Sequence, residues 1–170
     1  ISGLVGSEMC IRDRYLGDGP FDQLIIRGVT LINGDGSPPR GPVDIIVENN
    51  IIKNIESVGY PGIEIKDSWR PKLKKEGYEL NAQGMFLLPG FIDMHGHIGG
   101  NGQGADYDYV FRLWMAHGIT TIREPGGRGL EWALNLKKLS AENKIVAPRI
   151  FAYTSFGQTG KNFNPLNDIP

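Results

Sequence analysis

Two kinds of hydrophobic pattern follow each other along the chain. Over residues 21–84, short runs rich in β-branched residues are separated by Gly, Pro and Asn, a pattern typical of short strands joined by turns. The clearest turn is Glu48-Asn49-Asn50, between the apolar runs Val43–Val47 and Ile51–Ile55, because asparagine tolerates positive φ. The pattern predicts a small β-domain over residues 21–84.

From residue 85 onward, apolar runs alternate with segments whose apolar residues recur at 3.6-residue spacing. In chain order these predict a turn at Pro89-Gly90 that leads into a buried strand with His95 and His97 at its carboxyl end, helix Ala105–His117, strand Ile119–Arg123, helix Gly129–Asn143 and strand Ala147–Thr154. Strands that alternate with helices indicate βαβ units and a parallel sheet. The sequence therefore predicts an α/β portion over residues 85–170.

The stretch with the most distinctive chemistry is Leu87–His97, which ends in two histidines. Residues two apart on a strand project from the same face, so a strand would present the imidazoles of His95 and His97 side by side. Two neutral imidazoles suit a Zn²⁺-like ion, whose bonds to nitrogen are about 2.0–2.1 Å long. An isolated His-x-His is more often a surface or core pair than a metal site. Here the pair follows a buried strand, and the carboxyl ends of such strands are where parallel α/β folds build their sites.

The segment Leu88-Pro89-Gly90-Phe91-Ile92-Asp93-Met94-His95-Gly96-His97 resembles the signature of the amidohydrolase superfamily, which comprises metal-dependent hydrolases built on a TIM barrel. Gly118-Ile119-Thr120-Thr121-Ile122-Arg123-Glu124 is similar to the second strand of that family. Gly34-Asp35-Gly36-Ser37-Pro38-Pro39, followed by Val43–Val47, is similar to its amino-terminal β-domain.

The resemblance implies a fold of class α/β. We expect a small N-terminal β-sandwich over residues 21–84 and a partial TIM (β/α)₈ barrel, the first three or so βα units, over residues 85–170. A whole barrel needs about 250 residues. We therefore expect this 170-residue chain to be an N-terminal fragment that is inactive alone.

The resemblance also implies the site. His95 and His97 would ligate a divalent metal, which we expect to be zinc, with one or two ions in the full-length protein. The general base and the remaining ligands are expected beyond residue 170. Asp93 is expected to have a structural hydrogen-bonding role, because an unpaired buried carboxylate is costly. Glu124 is a candidate substrate contact, or a partner for Arg123 or Arg128.

The activity that the resemblance implies is hydrolysis of C–N bonds in amides, cyclic amides or dipeptides by a metal-activated water. The second-strand motif favours the imidazolonepropionase- and prolidase-like branch. Two other functions stay open. The first is a catalytically dead barrel that serves as a binding or scaffold module. The second is an interaction protein, which fares worse because a partial barrel leaves a strand edge unpaired.

Composition narrows the partners. The formal net charge is −1 and no basic face is clustered, so nucleic acid is not an expected partner. No apolar run approaches the ~20 residues of a membrane span. A small-molecule amide or peptide substrate remains, and a homo-oligomer is compatible with the family.

The first twenty residues are interpreted separately. Glu8–Arg14 resembles the translated end of a transposon-type sequencing adapter, so residues 1–20 are predicted to be a non-native, disordered leader. The leader contains Cys10, the single cysteine of the chain. The rest of the chain therefore has neither disulfides nor a catalytic thiol. The sequence leaves the compartment open between cytoplasm and periplasm.

Overall fold

A computed structural model describes residues 19–99, 105–126 and 129–153. These residues fall into two compact units, one over Gly19–Pro89 and one that begins at Gly90. Residues 1–18 of the predicted leader lie outside the described residues, as does the chain from residue 154 onward. The change from one unit to the other comes a few residues later than the boundary predicted at residue 85.

The first unit contains a five-stranded sheet. Its strands are β1 (Gln23–Leu31), β2 (Arg40–Glu48), β3 (Ile51–Ser57), β4 (Gly77–Asn81) and β5 (Phe86–Leu87). The order is β3-β2-β1-β4, and β5 also pairs with β1. Strand β2 is antiparallel to β1 and β3, whereas β4 and β5 run parallel to β1. The described residues of this unit form this one sheet, so the β-sandwich stays a prediction.

The turn between β2 and β3 is the one that the sequence predicts. Asn49 and Asn50 have φ values of 50° and 63°, and Glu48 pairs with Ile51 across the turn. Two successive residues with positive φ are the mark of the tight hairpin turns that match the twist of antiparallel strands. The asparagine pair is therefore confirmed as the hairpin.

The core of the first unit comes from alternating strand positions. Its buried members are Val29, Leu31, Val43, Ile45 and Ala82. Two charged residues are buried in the same sheet, Arg27 at 8% exposure and Asp44 at 0%. Asp44 lies between the core residues Val43 and Ile45, so it is on the opposite face of β2, and its burial was not predicted from the sequence.

Arg27 and Asp44 form the centre of an ionic cluster. The Arg27 guanidinium donates to Asp44 at 2.8 Å and to Glu79, and the N–H of Gly28 donates to Asp44 at 2.8 Å. Burial by itself would lower the pKa of Arg27, but the hydrogen bonds and charges of Glu79 and Asp44 outweigh it, and the net effect raises that pKa. Arg27 also donates to the carbonyl of Pro71 at 2.8 Å, so the cluster ties the polar connection before β4 to the sheet.

The second unit is built from βαβ units. Its elements are β6 (Phe91–Asp93), α1 (Tyr107–Ala116), β7 (Ile119–Glu124), α2 (Leu130–Ala141) and β8 (Arg149–Ala152). The three strands form a parallel sheet in the order β6-β7-β8. The alternation of strands and helices is confirmed, as is the end of α1 at Gly118, where φ is +80°.

The break predicted at Pro89-Gly90 is confirmed. Strands β5 and β6 belong to different sheets and are separated by Leu88-Pro89-Gly90. Proline has no N–H to continue a strand ladder. Gly90 lies so close to Thr120 that a side chain at residue 90 would overlap it.

Helices cover one face of the parallel sheet. Phe111 of α1 and Leu136 of α2 pack against Ile122 and Ile150, which are adjacent in the sheet. The opposite face carries Ile92, at 63% exposure, and Phe151, at 45%. In the part of the chain that the structure describes, no helix is both long and apolar enough to cross a bilayer.

Candidate functional site

A turn, and not a strand, brings the two histidines together. Strand β6 ends at Asp93, so the expectation that His95 and His97 project from one face of a strand is wrong. The Oδ1 atom of Asp93 accepts the backbone N–H of His95 at 2.9 Å, which is the side-chain-to-backbone bond of an Asx turn. The strand ends at Asp93, where this side-chain bond takes the place of a backbone hydrogen bond between strands. Asp93 thus makes a structural hydrogen bond beside the pair.

The imidazoles of His95 and His97 face each other through their Nε2 atoms, which are 3.2 Å apart. The ring centroids are 5.0 Å apart and the ring planes are inclined by 80°. Two nitrogens bound to one tetrahedral zinc at the usual bond length lie roughly 3.3 Å from each other. The chemistry and spacing of these two donors therefore fit two ligands of a zinc-like ion.

Gly96, between the histidines, lies against helix α1. A Cβ at this position would be 3.2 Å from the ring of Trp114 and 3.3 Å from Oδ2 of Asp93, tighter than ordinary van der Waals contact. The N–H of Gly96 donates to the carbonyl of Arg123 at 3.0 Å. Glycine is thus the residue that lets the turn sit between α1 and the end of β7.

Glu124, the last residue of β7, is 1% exposed. It has the same strand parity as Ile122, whose side chain belongs to the helix-covered core, and this parity explains its burial. Its carboxylate accepts the N–H of Ile98 at 2.6 Å and that of Gly126 at 3.0 Å. Its Oε1 atom lies 3.2 Å from Nδ1 of His97. This contact with a histidine was not predicted from the sequence.

Arg123 and Arg128 were the other candidate partners of Glu124. The guanidinium of Arg123 donates to the carbonyl of Met94 at 3.3 Å and lies 4.8 Å from the centre of the Tyr153 ring. Arg128 lies outside the described residues. The substrate contact of Glu124 stays a prediction.

His95 and His97 do not complete a metal centre by themselves. Across residues 19–99, 105–126 and 129–153, no group of three or more His, Cys, Asp or Glu side chains is arranged to hold a metal. Catalytic zinc sites usually have three protein ligands and a water. The general base and the further ligands stay predictions.

Comparison with known proteins shows what the chain is similar to. No protein-family model matches the chain. Over 76 residues it is 34% identical to a dihydroorotase from Thermoanaerobacter sp. strain X514, which is 45% of this chain and 14% of that protein. Over 95 residues it is 32% identical to adenine deaminase 2 from Desulfotalea psychrophila, which is 51% of this chain and 16% of that protein.

The fold agrees with these sequences. A solved Xaa-Pro dipeptidase with methionine bound in its active site matches with a TM-score of 0.54 and 25% identity, over 87% of this chain and 37% of its own. A solved amidohydrolase matches with a TM-score of 0.57 and 19% identity, over 78% of this chain and 32% of its own. These similarities support the amidohydrolase superfamily as the family of this chain.

The chain spans between 14% and 22% of the length of the curated relatives that it matches. Those relatives bear three different names, since the third is an N-acetylglucosamine-6-phosphate deacetylase from Lysinibacillus sphaericus. Proteins of the superfamily generally use divalent metals. The similarity thus supports the superfamily and does not identify the substrate.

Proposed function

We propose that this chain is part of a metal-dependent hydrolase that cleaves C–N bonds, and that His95 and His97 are two ligands of its metal, zinc. One observation carries the proposal, the 3.2 Å separation of the two Nε2 atoms. It matches the edge of a zinc tetrahedron. The position of the pair just beyond the carboxyl end of a parallel strand supports the proposal further.

Each nearby residue has a task in this proposal. Asp93 holds the backbone of His95 in the turn, and Gly96 keeps the turn against β7 through its bond to Arg123. His97 is held from behind by Glu124. When bound, a zinc-like ion would lower the pKa of a water towards neutrality and polarise the carbonyl of the substrate.

The architecture and substrate class are part of the same proposal. The parallel sheet β6-β7-β8 would be the first part of a TIM barrel, and the first unit would contribute to an N-terminal β-sandwich. Later strands would supply the remaining ligands and the general base. Amides, cyclic amides or dipeptides are the proposed substrates, and the likeness to a Xaa-Pro dipeptidase over 87% of this chain supports the dipeptidase side.

Zinc titration of the purified chain tests the ligand assignment. We expect the wild-type chain to bind one zinc weakly, and His95→Ala and His97→Ala each to abolish that binding. His117→Ala is the matched control, because His117 is exposed and its Nδ1 lies 2.7 Å from the carbonyl of Leu113, at the end of α1. Equal zinc binding by all four proteins would overturn the assignment.

The alternative function, a catalytically dead barrel used as a binding or scaffold module, is favoured by one observation. The described residues supply only a histidine pair and no larger cluster of metal ligands. The full-length protein separates the two functions. If it hydrolyses amides or dipeptides, and chelation of its metal removes the activity, the hydrolase is supported. Zinc binding without turnover on either substrate class would support the scaffold.

A further inference from the structure

The carboxylate of Glu124 lies in a confined setting beneath the histidine turn. It is 1% exposed, and two backbone N–H groups donate to it, one from the loop after β6 and one from the loop after β7. These donors are Ile98, at 2.6 Å from Oε2, and Gly126, at 3.0 Å from Oε1. Both carboxylate oxygens of Glu124 thus act as hydrogen-bond acceptors.

The Nδ1 atom of His97 lies 3.2 Å from Oε1 of Glu124, the oxygen that already accepts the N–H of Gly126. With Oε1 as the acceptor, Nδ1 of His97 is the donor of that contact. A neutral imidazole that carries its proton on Nδ1 has a lone pair on Nε2. The Nε2 atom of His97 is the one that faces His95.

We propose that Glu124 is a positioning residue that fixes His97 in the Nδ1–H tautomer, with the Nε2 lone pair free to bind a metal. The inference rests on the proposed function for its metal and on the hydrogen-bond geometry for its tautomer. Carboxylates that hold a ligating histidine in this way contribute roughly 10- to 100-fold to metal affinity. Glu124 would act through His97 without touching the metal.

The two histidines are held differently in the described part of the chain. Both rings are exposed, but the His97 ring has the buried Glu124 carboxylate behind it, whereas the hydrogen-bond contact of the His95 ring is with His97. If His97 presents a lone pair at Nε2, His95 must supply the hydrogen at the 3.2 Å contact between the rings. The metal-free protein is therefore expected to have Nε2–H on His95, and zinc binding is expected to move the proton of His95 alone.

Nitrogen-15 NMR of histidine-labelled chain tests the tautomer without metal and without activity. Wild-type chain is expected to show His97 protonated at Nδ1 and bare at Nε2. A Glu124→Gln side chain must turn its amide NH₂ towards the N–H of either Ile98 or Gly126, so the hold on His97 is expected to weaken. We expect mixed His97 tautomers and a roughly 10- to 100-fold loss of zinc affinity in this variant.

Glu131→Gln is the matched control, because it makes the same change at an exposed carboxylate in the first turn of α2. It is expected to keep the wild-type tautomer and zinc affinity. If Glu124→Gln does not fold, the wild-type spectrum decides, since Nε2–H on His97 overturns the inference and Nδ1–H supports it. A folded Glu124→Gln chain with wild-type tautomer and affinity also overturns it.

The experiment separates the two proposals. A wild-type chain that binds no zinc would remove the proposed metal site, and the tautomer would still be read from the metal-free protein. A chain that binds zinc through His95 and His97 while the His97 tautomer is independent of Glu124 would leave the function standing and remove this inference.

Discussion

The backbone N–H of Gly96 donates to the carbonyl oxygen of Arg123 at 3.0 Å. This bond extends the pairing of β6 with β7 past Asp93, the last residue of β6. The histidine turn is therefore bonded to β7 next to Glu124, the last residue of that strand. This backbone bond to β7 therefore helps to fix where the two imidazoles lie.

The first prediction concerns the space at Gly96. We expect Gly96→Ala to lower the free energy of unfolding by about 1–3 kcal/mol, because the new methyl group would press on the Trp114 ring. Urea denaturation measures the change. Trp114→Phe removes the contacting ring atoms, so the double variant is expected to lose less than the sum of the single variants. Full additivity would contradict the steric cause.

The second prediction concerns Asp93. Asp93→Ala removes the acceptor for the N–H of His95 and frees the turn, so we expect zinc affinity to fall. Asp93→Asn keeps a side-chain oxygen in the same place and is expected to bind zinc almost as tightly as the wild-type chain. Zinc titrations of the three proteins provide the measurement. Equal affinities for the Ala and Asn variants would show that the Asx turn does not order the site.

The third prediction concerns the buried ionic cluster of the first unit. Asp44→Ala leaves the guanidinium of Arg27 without one of its carboxylates in a buried setting, and we expect a loss of about 3–5 kcal/mol in unfolding free energy. Thermal and urea unfolding measure it. The comparison variant is Lys74→Ala, which breaks the ion pair of an exposed lysine with Glu48 and should cost less than about 1 kcal/mol. Similar losses for both would contradict the role of burial.

The fourth prediction is a pKa. Hydrogen bonds from Ser37 and from the side chain of Asn33 lower the pKa of Asp35 from 3.8 to about 2. Because the folded pKa lies below the unfolded one, Asp35 stabilises the fold above the unfolded pKa, and that contribution is lost as the pH falls through the folded pKa. A carboxyl-carbon NMR titration should find the midpoint near the lowered value. Ser37→Ala should raise it, and an unchanged midpoint would contradict the assignment.

Local sequence signals predicted most of the elements correctly. The Asn49-Asn50 turn and the helix end at Gly118 could be read directly, because each depends on the conformational preferences of a few adjacent residues. The strand predicted to carry His95 and His97 ends early, at Asp93. The hydrophobic pattern alone does not show where a strand gives way to a turn.

The contacts of the candidate site were harder to predict. Glu124 meets His97 only because β6 and β7 pair in one particular register, and that register is set by packing far from either residue. The pairing of Arg27 with Asp44 is of the same kind. A signal existed for Glu124, which follows Ile122 by two residues, so strand parity could have marked it as inward-facing. For Asp44 parity gave no such signal, because its neighbours Val43 and Ile45 are the ones that face the core.

The bare side of the parallel sheet has a practical consequence at the bench. Ile92 and Phe151 leave hydrocarbon in contact with water on the face opposite the helices. Hydrophobic attraction weakens on cooling, so the purified chain is expected to stay monodisperse when it is cold and dilute, and to cluster as it is warmed or concentrated. A mild non-ionic detergent should delay that clustering, and the same two side chains will therefore decide the concentrations at which zinc titrations can be performed.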